Sequence, residues 1–128
     1  MNTSLPDFDT PDLARAVERM PPGAVDLLPF GAIHLDADGI VISYSRREAE
    51  LSGFDPARAV GLAFFKDMAP CMDHPALRGR IEAAMKAGTL DAEFTHVGDF
   101  SDRDRELCIR AQSAAEGGVW LFLKRFDC

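Results

Sequence analysis

The sequence lacks the features that mark several large classes of protein. No apolar run approaches the roughly 18 residues needed to cross a bilayer. Met1 to Asp9 also lacks the basic-then-apolar order of a secretory signal. A cytoplasmic protein with no membrane partner is the expectation. Basic residues are outnumbered: 14 Lys and Arg against 21 Asp and Glu give a formal net charge of −7. No basic stripe is present to meet a phosphate backbone, so nucleic acid is not an expected partner. Cysteine is scarce: Cys71, Cys108 and Cys128 form an odd set without C-x-x-C. That pattern suits a reducing compartment better than a disulfide framework. His34, His74 and His96 are just as scattered, and none has another His or Cys at ligand spacing, so no metal site is expected.

What is present fits a single domain of 128 residues with one core. Residues 1–28 read as an N-terminal cap and 29–128 as the core domain. In the cap, Thr10-Pro11-Asp12 opens a short helix through Leu13, Ala16, Val17 and Met20. Pro21-Pro22-Gly23 stops it, a second turn is expected at Ala24 to Leu28, and Phe8 is the apolar anchor. The helical spacing of Leu13, Val17 and Met20 asks for a surface to cover, which favours a loosely docked cap over a free tail.

From Pro29 the pattern becomes that of strands. Gly31 to Leu35 and Ile40 to Tyr44 flank Asp38-Gly39, the strongest turn signal in the chain, and predict a hairpin. Ser45 with Glu48 three residues on is a capping box for a helix that Gly53 ends. Asp55-Pro56 opens another short helix closed at Gly61, and Phe64 to Cys71 reads as a tight turn and loop. Pro75 opens the longest helix, with Leu77, Ile81, Ala84 and Met85 on one face and Gly88 as its stop. Strands follow at about 90–97, 105–113 and 119–125. In the second, Leu107, Ile109 and Ala111 alternate with Glu106, Cys108 and Arg110, which predicts one buried and one wet face. Val119-Trp120-Leu121-Phe122-Leu123 suits a central strand covered on both sides. The sum is an α+β domain with one five-stranded antiparallel sheet, short helices on one face and an N-terminal helical cap. That element order is the one found in PAS domains.

Chemistry converges on Cys71 and on three residues spaced by four. Pro70 fixes the backbone just before the sulfur, although a lone cysteine most often simply packs. Glu48 and Ser52 are one helical turn apart and project from one face, with Tyr44 just before them. A phenol, a carboxyl and a hydroxyl can meet on one oxygen of a ligand, and a protonated Glu48 and Tyr44 can each donate to a phenolate. Each residue also has a plainer role. Glu48 can be a surface capping residue, Tyr44 a packing aromatic, and Ser52 part of the turn at Gly53.

Gly31-Ala32-Ile33, Leu35-Asp36, Tyr44, Glu48, Gly53, Asp55-Pro56, Phe64-Phe65-Lys66-Asp67, Ala69-Pro70-Cys71 and the ending Lys124-Arg125 together resemble the photoactive yellow protein family, from about Leu28 to Arg125. The resemblance implies a blue-light receptor carrying p-coumaric (4-hydroxycinnamic) acid as a thioester on Cys71. It implies that Tyr44 and Glu48 hold the phenolate, that Ser52 bonds to Tyr44, and that the Cys71 peptide N–H binds the pigment carbonyl. Ile33, Phe54, Phe64, Ala69 and Pro70 would form the pocket walls. Light would drive trans-to-cis isomerisation, Glu48 would give its proton to the phenolate, and the N-terminal cap would be released.

Some positions depart from the family pattern. Phe54 replaces an arginine lid, and Gly98 and Asp102 stand near a usual aromatic and methionine, which implies slow dark recovery. His96 replaces another aromatic and implies an altered colour. The implied protein is not an enzyme. The competing readings are a PAS ligand-binding module or a thiol redox sensor without chromophore. A haem version would depend on His74, for which a surface role is the better reading. The chain ends soon after the last strand, so the signal is expected to pass to a separate, unidentified signalling protein. The expected state is a monomer, with a weak dimer as the alternative.

Overall fold

The computed structural model describes residues 5–21, 23–73, 75–86, 91–97 and 105–125, and for Cys71, Ala76, Ala84, Met85, His96 and Val97 it describes the backbone alone. The chain begins with α1 (Leu13–Glu18) and a single 3-10 turn at Ala24–Leu27. The hairpin β1 (Gly31–Leu35) and β2 (Val41–Tyr44) follows. At its tip Asp36 Oδ1 accepts from the peptide N–H groups of Asp38 and Ile40, both at 2.9 Å. Gly39 there has φ 82°, a conformation that glycine reaches without a Cβ penalty. Then come α2 (Arg46–Ser52) and α3 (Pro56–Ala59), each opened by a capping side chain: Ser45 for α2, Asp55 for α3.

Phe64 to Cys71, expected as a tight turn and loop, is instead two successive helical turns. A wide turn runs over Phe64–Met68 and a 3-10 turn over Pro70–Met72. Asp67 Oδ2 accepts from Ala63 N–H at 3.0 Å and closes the first of these turns, a role that strand and loop signals do not anticipate. The helix expected from Pro75 begins as another wide turn, Pro75–Gly79, and continues as α4 (Arg80–Lys86). Leu77 and Ile81 are buried as the periodicity predicts; Gly88 lies outside the described residues, as do His74, Gly98 and Asp102.

Strands β3 (Asp91–Val97), β4 (Glu106–Ser113) and β5 (Val119–Lys124) complete an antiparallel sheet in the order β2-β1-β5-β4-β3. β5 is central, and Val119 to Leu123 are all buried. Alternation along the strands sends side chains into two cores. On one face Ile33, Leu35, Leu107, Ile109, Leu121 and Leu123 pack against Phe64, Phe65, Met68, Leu77 and Ile81 of the helical turns. On the other, Ala32, Trp120 and Phe122 pack against Leu13, Ala14, Val17, Leu28 and Phe30.

This second core overturns the expectation of a wet face on β4. Cys108, Arg110 and Gln112 are all buried, because the N-terminal segment lies over them. Arg110 Nη1 donates to the carbonyls of Phe8 (2.9 Å) and Thr10 (2.6 Å), and Gln112 Oε1 accepts from Ala14 N–H at 2.7 Å. Glu18 Oε2 accepts from Trp120 Nε1–H at 3.1 Å, and Arg15 bonds to the Ser113 carbonyl. Phe8 does anchor the segment. Its ring meets Phe30 edge-on at 5.8 Å, under the Lys124 ammonium at 5.9 Å. The helix itself starts at Leu13 rather than Thr10; Asp12 precedes it with φ 51° and without a side-chain cap. Cys108 is disulfide-bonded, contrary to the expectation of unpaired thiols. It shares the face of Arg110 and Gln112, so the sheet stands between it and the turn that carries Cys71.

Candidate functional site

Three of the four residues singled out by chemistry, Tyr44, Glu48 and Ser52, gather where β2 hands over to α2. Tyr44 is the last residue of β2, and its register partner Ile33 is wholly buried, so the phenol enters the layer between sheet and helical turns. Ser45 then caps α2: its Oγ accepts from the N–H groups of Ala32 (3.0 Å) and Glu48 (3.3 Å). One helical turn separates Glu48 from Ser52, and both side chains point inward, Glu48 0% and Ser52 4% exposed.

Tyr44 and Ser52 meet directly. The phenol oxygen lies 2.8 Å from Ser52 Oγ, and either can donate. Ser52 Oγ also accepts from Phe54 N–H at 3.2 Å, which holds the hydroxyl in place. The Phe54 ring lies tilted beside Tyr44, with centroids 6.3 Å apart. A neutral phenol that is 6% exposed and already bonded to a fixed hydroxyl is a well-oriented hydrogen-bonding group.

Glu48 takes a different partner. The expectation of a reciprocal capping box fails because Ser45 N–H is spent on the Ala32 carbonyl at 3.0 Å. The carboxylate turns inward and receives both arms of a guanidinium: Arg125 Nη1 to Oε1 and Nη2 to Oε2, each 2.8 Å, with both side chains 0% exposed. This fork-to-fork geometry is the strong form of the interaction, and in a buried place it compensates desolvation that either charge alone could not bear. Gly31 makes the seat. A Cβ at that position would land on Glu48 Oε1, so only glycine leaves room for the carboxylate against β1.

Arg125 is the functional residue that pattern reading missed as a partner. A signal was present: Leu121 and Leu123 face the helical turns, and Arg125 continues that alternation one step past the strand. Among the expected walls, Ile33, Phe64 and Ala69 are buried and Phe54 is partly buried against the same core. Pro70 is exposed, so it contributes the first residue of the Pro70–Met72 turn rather than a wall. That turn, closed by Met72 N–H donating to the Ala69 carbonyl at 3.0 Å, is where the backbone of Cys71 lies, on the same side of the sheet as Tyr44. No group of three or more metal-ligating side chains occurs among the described residues, and none of their helices is long and apolar enough to cross a membrane.

Comparison with known proteins places this geometry in context. Residues 25–122 match the family model described as the PAS fold. The chain is 35% identical over 119 residues to the photoactive yellow protein of Rhodothalassium salexigens, covering 92% of this chain and 95% of that one. It is 31% identical, with the same coverage, to the photoactive yellow protein of Halochromatium salexigens. Among solved structures, the photoactive yellow protein domain of the sensor histidine kinase Ppr from Rhodospirillum centenum superposes with a TM-score of 0.80 at 37% identity, over 88% of this chain and 99% of that domain.

Proposed function

The chain belongs to the photoactive yellow protein family, and we propose that it is a cytoplasmic blue-light receptor carrying p-coumaric acid as a thioester on Cys71. Its relatives are photoreceptors built on the PAS fold. The residues present suit an aromatic acid that ends in a phenol: a fixed phenol–hydroxyl pair and a fully buried carboxyl lie in one apolar layer beside the Cys71 turn. Bound there, the pigment would supply visible absorption, light-driven trans-to-cis isomerisation and a phenolate oxygen that competes for hydrogen bonds.

The chain's own residues divide the remaining work. Cys71 is the attachment point, carried on a turn whose backbone Pro70 restricts. Tyr44 is a donor oriented by Ser52, and Glu48 is a second donor when its carboxyl holds a proton. A carboxyl with an ordinary value near 4.3 keeps that proton at neutral pH only where burial and an adjacent anion favour the neutral form. Giving the proton up leaves a buried carboxylate that has to be re-paired inside the fold, since an unpaired one costs several kcal/mol. The whole domain has only about 5–15 kcal/mol of stability. The response to light is thus a rearrangement of the least firmly held part, the N-terminal segment, and the signal passes to a separate protein through the changed surface.

The observation that carries this reading is the Tyr44–Ser52 bond of 2.8 Å, built on the same helix face as buried Glu48. Mixing the apoprotein with activated p-coumaric acid tests it. A yellow adduct that bleaches in blue light and recovers in the dark is expected, with no adduct in Cys71→Ala. A colourless product, or colour that survives Cys71→Ala, would remove the receptor reading. With Gly98 and Asp102 in place of the usual residues, recovery slower than a second is expected.

A further inference from the structure

We propose that the Glu48 carboxyl has two seats in this protein, and that Arg125 is the second: the carboxylate docks on the guanidinium whenever it is not a neutral donor to the pigment. This rests on the receptor reading above and adds a residue to it. A neutral carboxyl that donates to a phenolate and a carboxylate that fills both arms of a guanidinium are mutually exclusive states of one side chain. The second is the arrangement observed. Both Glu48 oxygens are 2.8 Å from Arg125 nitrogens, both side chains are 0% exposed, and Gly31 leaves the space in which the carboxylate lies.

The seat is built into the fold. Arg125 directly follows β5, the central strand, and continues the inward row of Leu121 and Leu123; Leu123 is the register partner of Gly31. Glu48 reaches the guanidinium from the first turn of α2, and the same helix carries Ser52, the partner of Tyr44. A change of rotamer at one glutamate would therefore exchange a pigment contact for the observed contact to the end of β5. Lys124, next in the chain to Arg125, sets its ammonium over the Phe8 ring. Phe30, next to Gly31, meets the same ring edge-on. Occupation of the Arg125 seat is thereby felt on both sides of the residue that anchors the N-terminal segment. Arg125 is a positioning residue: it acts on the light response through Glu48.

The test follows the Arg125 side-chain N–H signals by NMR in three states of the full chain: apoprotein, pigment-loaded in the dark, and pigment-loaded under blue light. Slowly exchanging signals are expected in the apoprotein and should be lost in Glu48→Gln. They should weaken or shift in the dark loaded protein and return under light. Arg125→Gln should shorten the light state at least tenfold, because the carboxylate has lost its dock, and Arg125→Lys should fall between Gln and wild type. Signals identical in the coloured protein in darkness and in light, or an unchanged recovery rate in Arg125→Gln, would overturn the second seat. A chain that takes no colour is a failure of the receptor reading instead, visible in the absorption spectrum before any NMR is recorded.

Discussion

The two faces of the sheet both bury charged and polar side chains, yet they hold them in different ways. Beneath the helical turns, Glu48 and Arg125 pair with each other through two bonds, and Tyr44 is held by Ser52. Beneath the N-terminal segment, Arg110, Gln112 and Trp120 reach out to single carbonyl, amide and carboxylate groups of residues 8–18. The first face is closed on itself through elements rich in short-range turns. The second depends on one six-residue helix, the rings of Phe8, Phe30, Trp120 and Phe122, and a few side chains bonded to its backbone. A disturbance of the first face is therefore expressed most readily as detachment on the second, since the segment can leave without breaking any strand pairing.

The largest effect is expected at Gly31. Gly31→Ala places a methyl group on Glu48 Oε1 and should expel the carboxylate from its seat. Separating a buried pair costs about 3–5 kcal/mol, so urea unfolding of the apoprotein should show a loss of that order. Unchanged stability would mean that the carboxylate does not rest on β1.

A smaller effect is expected on the other face. Arg110→Met removes the charge-assisted bonds from one guanidinium nitrogen to the Phe8 and Thr10 carbonyls, a loss of about 1.5–3 kcal/mol. Limited proteolysis should then cut near residues 8–20 while the sheet stays intact. Resistance equal to wild type would show that the apolar contacts alone hold the segment.

The smallest effect is a pH dependence at His34. Its ring stacks on Trp120 with centroids 4.5 Å apart, and its Nε2 is buried without a partner among the described residues. Burial lowers its pKa below the ordinary 6.5, opposed by a bond to the Gly117 backbone and by the charges of Glu18, Asp36 and Glu116. Between 6.5 and that lowered value the unfolded chain binds the proton and the folded chain does not. Stability should fall as pH drops through that window and be restored above it. His34→Phe should flatten the slope, as read by thermal melts at several pH values.

Much of this architecture was legible in the residues. Asp38-Gly39 marked the hairpin, the unbroken apolar run Val119 to Leu123 marked the central strand, and the spacing of Tyr44, Glu48 and Ser52 gave the interior face of α2. Three things were not. The polar half of β4 looked solvent-facing because alternation reports polarity, and polarity cannot distinguish water from a covering segment that bonds to the same groups. Glu48 matched a capping box because that motif is local, while its true partner stands 77 residues away. The wide turn at Phe64–Met68 escaped because its period matches neither the helical nor the strand template.

Hydrogen exchange of the pigment-loaded chain, in darkness and under steady blue light, tests most directly whether events at the Tyr44 and Glu48 face are read out on the opposite face. The amides of α1, from Leu13 to Glu18, should lose protection in the light while those of β1, β4 and β5 keep theirs. Equal protection of α1 in both conditions, in a protein whose colour shows that the pigment has responded, would mean that the two faces are not coupled.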